Sequence, residues 1–141
     1  MDRIDVLIKI FIATFGAFCG YFLGGWDTTL KVLVIMAAID YLTGVFAAGY
    51  NGELKSKVGF KGIAKKAVLF LLVAAATQAD AIIGTNSAIR EATIFFFIGN
   101  ELLSLLENAG RMGIPLPSAL TNAVEILGDK QKQEDKKGDV Q

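Results

Sequence analysis

The chain of 141 residues has no histidine, one cysteine and two prolines, and its 14 basic residues balance its 14 acidic ones. Without histidine, Ser-His-Asp and Cys-His catalysis and imidazole metal sites are excluded. A lone Cys19 excludes an internal disulfide and any CxxC site. Zero net charge provides no whole-chain field to attract nucleic acid. Long uncharged runs are scarce as well, the longest being the 17 residues 10–26. No catalytic, cofactor-binding or metal-binding constellation is expected, and the chain reads as a non-enzyme.

What is present is apolar surface. Hydrophobic residues make up 53% of the chain. A soluble domain of this length buries only ~70% of its surface, so such an excess would leave sticky patches outside. A membrane protein is implied. The charges divide it. Residues 6–50 hold only Lys9, Asp27, Lys31 and Asp40, and residues 67–106 hold only Asp80, Arg90, Glu91 and Glu101. Between them, 51–66 carries Lys55, Lys57, Lys61, Lys65 and Lys66 against Glu53.

A span needs ~20 mostly apolar residues. This predicts an all-α integral membrane protein whose membrane domain, 1–128, has four spans at about 6–25, 29–50, 67–84 and 89–109, arranged as two hairpins. Gly24–Thr28 makes the first turn, with Trp26 suited to the interface, and Gly84–Ser87 makes the second. Residues 51–66 form a basic loop. Pro115 and Pro117 stop the fourth helix, and a short amphipathic segment, 118–128, follows with Ala119, Leu120, Ala123, Val124 and Leu127 on one face. The charged tail 129–141 is expected to be disordered. Asp2 and Asp5 neutralise the basic start, and bulky Phe18 precedes Cys19, so neither signal-peptide nor lipoprotein cleavage is expected. The lysines set orientation, with the 51–66 loop and both termini on the cytoplasmic side. A three-span alternative puts the loop and the tail on opposite sides.

The spans are individually weak. The second holds eight Val, Ile, Leu or Phe residues between 32 and 50. At their usual insertion values these offer about −2 to −5 kcal/mol, against about +3 for a central Asp. Asp40 lies about 16 Å in from position 29, and Glu101 about 18 Å in from position 89, at 1.5 Å rise per residue. Both acids therefore sit near mid-bilayer, with no evident cation at their depth. Lys9, Lys31 and Arg90 lie near helix ends, from which they can snorkel. The acids either are protonated, share a polar interior or face water.

Two stripes stand out. Asn100, Glu101, Ser104, Glu107, Asn108 and Arg111 fall within a 120° arc of the fourth helix. With Asp40 and Asp80 they are candidate lesion- or pore-lining groups, the plainer reading being an ordinary amphipathic helix. Ala13, Gly16, Ala17, Gly20 and Gly24 form a small-residue face suited to close helix approach, either between copies of the chain or against the second span. Lys55, Lys57, Lys61, Lys65 and Lys66 set topology or meet anionic lipid headgroups. The spacing GFKG at 59–62 is too weak for a phosphate loop, since no strand precedes it.

Three pieces, DYLTG at 40–44, SKVGFKGIAKK at 56–66 and FFFIGNELLSLLENAGRMGIPLP at 95–117, resemble the phage lysis and toxin-secretion holin family, which includes the clostridial toxin-release holin. The resemblance covers roughly 38–128. It implies a multi-pass protein of the bacterial cytoplasmic membrane that associates with itself and opens lesions in the bilayer. The lesions would release a cell-wall hydrolase or a toxin without required direct contact. It implies no cofactor, no catalytic residue and no nucleic-acid partner. Two other classes stand beside it: a small ion channel or transporter subunit using Asp40 and Glu101, and a membrane anchor or scaffold for a peripheral protein.

Overall fold

A computed structural model describes the backbone of residues 2–138, and all side chains in that range except those of 123–124, 127–132 and 134–135. Five helices follow one another: α1 (Arg3–Phe22), α2 (Thr28–Tyr50), α3 (Ser56–Ile83), α4 (Ala88–Arg111) and α5 (Ser118–Gly138). No strand occurs among the described residues.

Local chemistry sets the helix ends. Asp27 caps α2, its carboxylate accepting from the Leu30 amide at 3.0 Å and the Thr29 hydroxyl at 3.1 Å, which satisfies a donor that the first turn leaves open. Gly84 ends α3 in the left-handed region at φ 78°, where its amide reaches the Asp80 carbonyl at 2.8 Å. A side chain would be strained there.

Helices α2, α3 and α4 form the bundle, with α4 lying along α2 and then against α3, while α2 and α3 meet only sparingly. The apolar core sits in the half near the α1–α2 turn, built from Leu23, Leu30, Leu33, Leu69, Val73 and Ile94. Helix α1 stands largely apart, and Gly20 is its one buried residue. Many large apolar side chains point outward, among them Phe11, Ile35, Phe46, Leu71, Phe95 and Phe96. Such a surface is at home in lipid rather than water.

Three helices, α1, α2 and α3, are long and apolar enough to cross a membrane. Helix α4 falls short of that measure, because Arg90, Glu91, Asn100, Glu101, Glu107, Asn108 and Arg111 interrupt it. Four spans are therefore not established by length and composition, although the helix itself forms where expected.

Two boundaries differ from expectation. Only 51–55 of the basic stretch is a link, and 56–66 is helical. Lys57, Lys61 and Lys65 recur every fourth residue, so they form one exposed stripe on a helix and do not oppose it. At the other end, α5 continues past Gly128 to Gly138, so 129–138 is helical and not disordered. Lys, Gln and Glu, which are frequent in this stretch, are good helix formers. Residues 139–141 of the tail and the side chains of Ala123, Val124 and Leu127 lie outside the described residues.

Candidate functional site

The bundle joins its three helices through one polar cluster. Asp40 on α2 and Glu101 on α4 are buried, and the Lys66 ammonium on α3 bridges them, donating to a carboxylate oxygen of each. Asn108, about two turns further along α4, donates through Nδ2 to the Asp40 carboxylate at 3.0 Å and to its backbone carbonyl at 3.1 Å. The same amide reaches Thr43 Oγ1 at 3.0 Å, and Thr43 in turn donates to the Ile39 carbonyl at 2.9 Å. Among the described residues, every buried side-chain nitrogen or oxygen has a partner.

This corrects the expectation that no cation matches the acids. Lys66 belongs to a helix that starts at Ser56, well before the expected third span at 67, so its side chain lies at the depth of the acids, inside the bundle. Lysine 66 thus leaves the group of headgroup candidates, whereas Lys55, Lys57, Lys61 and Lys65 remain exposed. Charge counting is informative: two carboxylates share one ammonium, so the fully ionised cluster carries one net negative charge. Burying that charge is costly unless a proton or water reaches it.

A cleft of about 840 Å³ leads to the cluster from the end of the bundle near residues 51–66. Tyr41, Lys61, Lys65, Ser104, Glu107 and Arg111 line it, with Glu125 of α5 at its edge. The cleft runs past Asp40 and Glu101 to Leu69, Leu72 and Phe97, at the edge of the apolar core. The polar stripe of α4 lines the cleft throughout, with Glu101 and Asn108 buried, Ser104 half-buried, and Asn100 and Glu107 exposed.

Asp80 does not join this site. It lies at the opposite end, where its carboxylate accepts from the Thr85 hydroxyl, the Ile89 amide at 2.9 Å and the Arg90 amide at 2.7 Å. It caps the start of α4 from across the turn. Its oxygens are occupied by the second hairpin turn, away from the groups that line the cleft.

Arg90, expected to snorkel from a helix end, is instead 2% exposed. Its Nε donates to the Leu23 carbonyl at 2.6 Å, Nη2 to the Gly25 carbonyl at 3.0 Å, and Nη1 to Glu91 at 3.0 Å. Both Asp27 oxygens accept from the same guanidinium, at 2.7 and 3.1 Å. All five of its donors are used. The guanidinium holds the Asp27 carboxyl well below the usual carboxylate range. Gly24 permits this approach, with φ 83° and a position where a Cβ would lie 2.6 Å from Arg90 Nε.

The small-residue face is shared out differently. The Trp26 indole folds back over Gly20, where a Cβ would lie 2.7 Å from the ring, and its N–H donates to the Gly16 carbonyl at 2.8 Å. Gly20 and Gly24 thus serve contacts within one chain, while Ala13 and Ala17 stay exposed and Gly16 has open space on its Cβ side. Lys66, Arg90, Thr43 and Tyr41 are the residues that sequence reasoning missed as partners. For Arg90, the available signal was a basic residue beside Glu91 in the turn facing Asp27.

Among the described residues, no group of three or more potential ligands could hold a metal ion. No solved structure matches the chain. An uncharacterised protein of Listeria innocua is 48% identical over 135 residues, covering 96% of each chain, and one of Listeria monocytogenes is 47% identical over the same share. A protein of Bacillus phage phi105 named as a probable holin is 32% identical over 110 residues, covering 78% of this chain and 82% of its own. The bacteriophage holin family, a membrane-permeabilising and non-enzymatic class, matches residues 17–129, and the chain belongs to it.

Proposed function

We propose that this chain assembles with copies of itself in the bacterial cytoplasmic membrane and opens lesions through which a cell-wall hydrolase or a toxin escapes. The observation that carries the reading is a buried, incompletely neutralised ion cluster at the centre of an otherwise lipid-facing bundle, in a member of the holin family. Ionised groups at that depth cost ~3 kcal/mol each in lipid. A state in which they meet water is thereby favoured, and assembly into a wet lesion provides one. Glu101, Asn108, Ser104 and Asp40 are the groups that would line it.

Four crossings are part of the reading, with the 51–66 segment and both termini cytoplasmic. Helix α4 reaches from Asp27 at the head of α2, held by Arg90, to Asn51 and Glu53 beyond its foot, where Arg111 donates to Glu53 at 3.1 Å and its carbonyl accepts from Asn51 at 3.2 Å. It travels as far as α2 does. Asp40 and Thr43 of α2 and Lys66 of α3 satisfy its buried polar groups, which supports a crossing that α4 could not make alone.

The test is induced expression with membrane potential and release of a cytoplasmic protein recorded together. Abrupt loss of potential accompanied by protein release is expected. Graded, ion-selective flux without protein release would instead favour a small channel, a reading to which a cleft lined by two buried acids also lends support. Intact potential throughout would leave an anchor or scaffold.

A further inference from the structure

Helix α3 is held unevenly. From Leu69 onward it is anchored by Leu69, Val73 and Ala76, all buried. Between 56 and 65 none of its residues is buried, although this half forms one wall of the cleft. Two attachments hold it to the bundle. One is Lys66, bridging Asp40 on α2 and Glu101 on α4. The other is Tyr41, whose ring rests on the glycine pair of the GFKG stretch: a Cβ on Gly62 would lie 3.1 Å from the ring, and one on Gly59 would lie 3.4 Å from the hydroxyl. The glycines thus form a seat for an aromatic ring and bring α3 near enough for Lys66 to reach both acids.

We propose that residues 56–66 form a door to the cleft, held shut by Lys66 between Asp40 and Glu101 and by Tyr41 seated on Gly59 and Gly62. The inference deepens the lesion reading and rests on it only for the use to which opening is put. Swinging the door out widens the cleft around half-buried Ser104 and uncovers buried Asn108, while the apolar half of the bundle stays closed. Lys57, Lys61 and Lys65 are exposed already, so the motion buries no further charge.

The test uses the full chain with Cys19 replaced by Ser and Ser104 by Cys, reconstituted in vesicles with a small water-soluble thiol reagent on both sides. Ser104 is half-buried with the door shut, so a rise in labelling rate over the parent reads opening. Removing the ion latch in one step, with Lys66→Met, Asp40→Asn and Glu101→Gln together, leaves no unpaired buried charge and guards against misfolding. Gly62→Leu removes the tyrosine seat without touching charge. Each should raise labelling on the order of tenfold, the size expected when one closing interaction of a locally opening segment is lost. Gly16→Leu, at a position with open space, is the control and should leave the rate unchanged. If either the triple variant or Gly62→Leu labels at the parent rate, the door is wrong. If both label faster while lysis timing is unaltered, the door stands and the lesion reading loses its mechanism.

Discussion

Arg90 grips Asp27 through both carboxylate oxygens, at 2.7 and 3.1 Å, across 63 residues of sequence. This pairing ties the first hairpin turn to the start of α4. Because Arg90 also holds the Leu23 and Gly25 carbonyls, it closes the end of the bundle that the apolar core alone would leave ragged. Arg90→Met should orphan those acceptors, at about 1–3 kcal/mol. Unfolding in mixed micelles should show the loss, whereas Lys31→Met, on an exposed residue, should leave the midpoint in place.

The same pairing predicts a pH dependence. Folding lowers the Asp27 carboxyl below its ordinary value of 3.8, chiefly through its hydrogen bonds with Arg90. The unfolded chain therefore binds the proton more readily, and the contribution is full above the ordinary value and lost as pH falls below it. Unfolding midpoints should fall on acidification below about pH 4. Asp27→Asn should flatten that part of the profile and lower stability at neutral pH. An unchanged acid limb in this variant would show that the pairing is not the titrating element.

Helix existence was legible from apolar runs and turn residues, and the two hairpin turns fall where Gly24–Thr28 and Gly84–Ser87 place them. Lys66 was not legible as an interior residue, since periodicity cannot tell which of five clustered lysines turns inward. The early start of α3 makes 56–66 helical, which turns Lys66 about 140° from the mean direction of Lys57, Lys61 and Lys65. Asp80 misled for a related reason: its depth was readable, but its role depends on a turn that folds α4 back over it. The small-residue stripe was visible, whereas the ring that covers its middle comes from Trp26, two residues past the last glycine of the stripe.

Trp26 is the one tryptophan of the chain, so its emission reports the contact with Gly20 directly. Gly20→Leu should displace the indole and break its hydrogen bond to the Gly16 carbonyl, shifting the emission and its quenching. Gly16→Leu should leave the emission largely unchanged, because its Cβ side is open. Crosslinking separates the two roles of the stripe. Oligomers lost in Gly16→Leu with normal Trp26 emission would assign the exposed part, with Ala13 and Ala17, to contact between copies.

Topology can be read with single cysteines in a Cys19→Ser background. Probes at Ser56 and Lys137 should both react only from the cytoplasmic side, because the lysines around 51–66 and in α5 favour that side. A probe at Lys137 reacting from outside, with Ser56 protected, would support three crossings and put α4 in the interface. Reaction at Ser56 from outside would invert the whole arrangement.

The ion cluster makes the sharpest demand on the lesion mechanism. With Asp40, Lys66 and Glu101 all ionised, one negative charge is left over, and that surplus is what favours contact with water. Glu101→Leu removes it and leaves Lys66 paired with Asp40 alone, a neutral pair in which Asn108 still serves the acid. Removing an ionised group at mid-depth relieves roughly 3 kcal/mol of insertion cost, so the variant should insert at least as well as the parent. It should nevertheless open lesions late or not at all, as the closed bundle has become the more comfortable state. Glu101→Gln also removes the charge but keeps hydrogen bonding, so its delay should be smaller. Quantitative membrane fractionation, potential and protein release measured on one culture separate these effects. Wild-type lysis timing in Glu101→Leu, at equal membrane abundance, would make the cluster a structural tie and remove it from the mechanism.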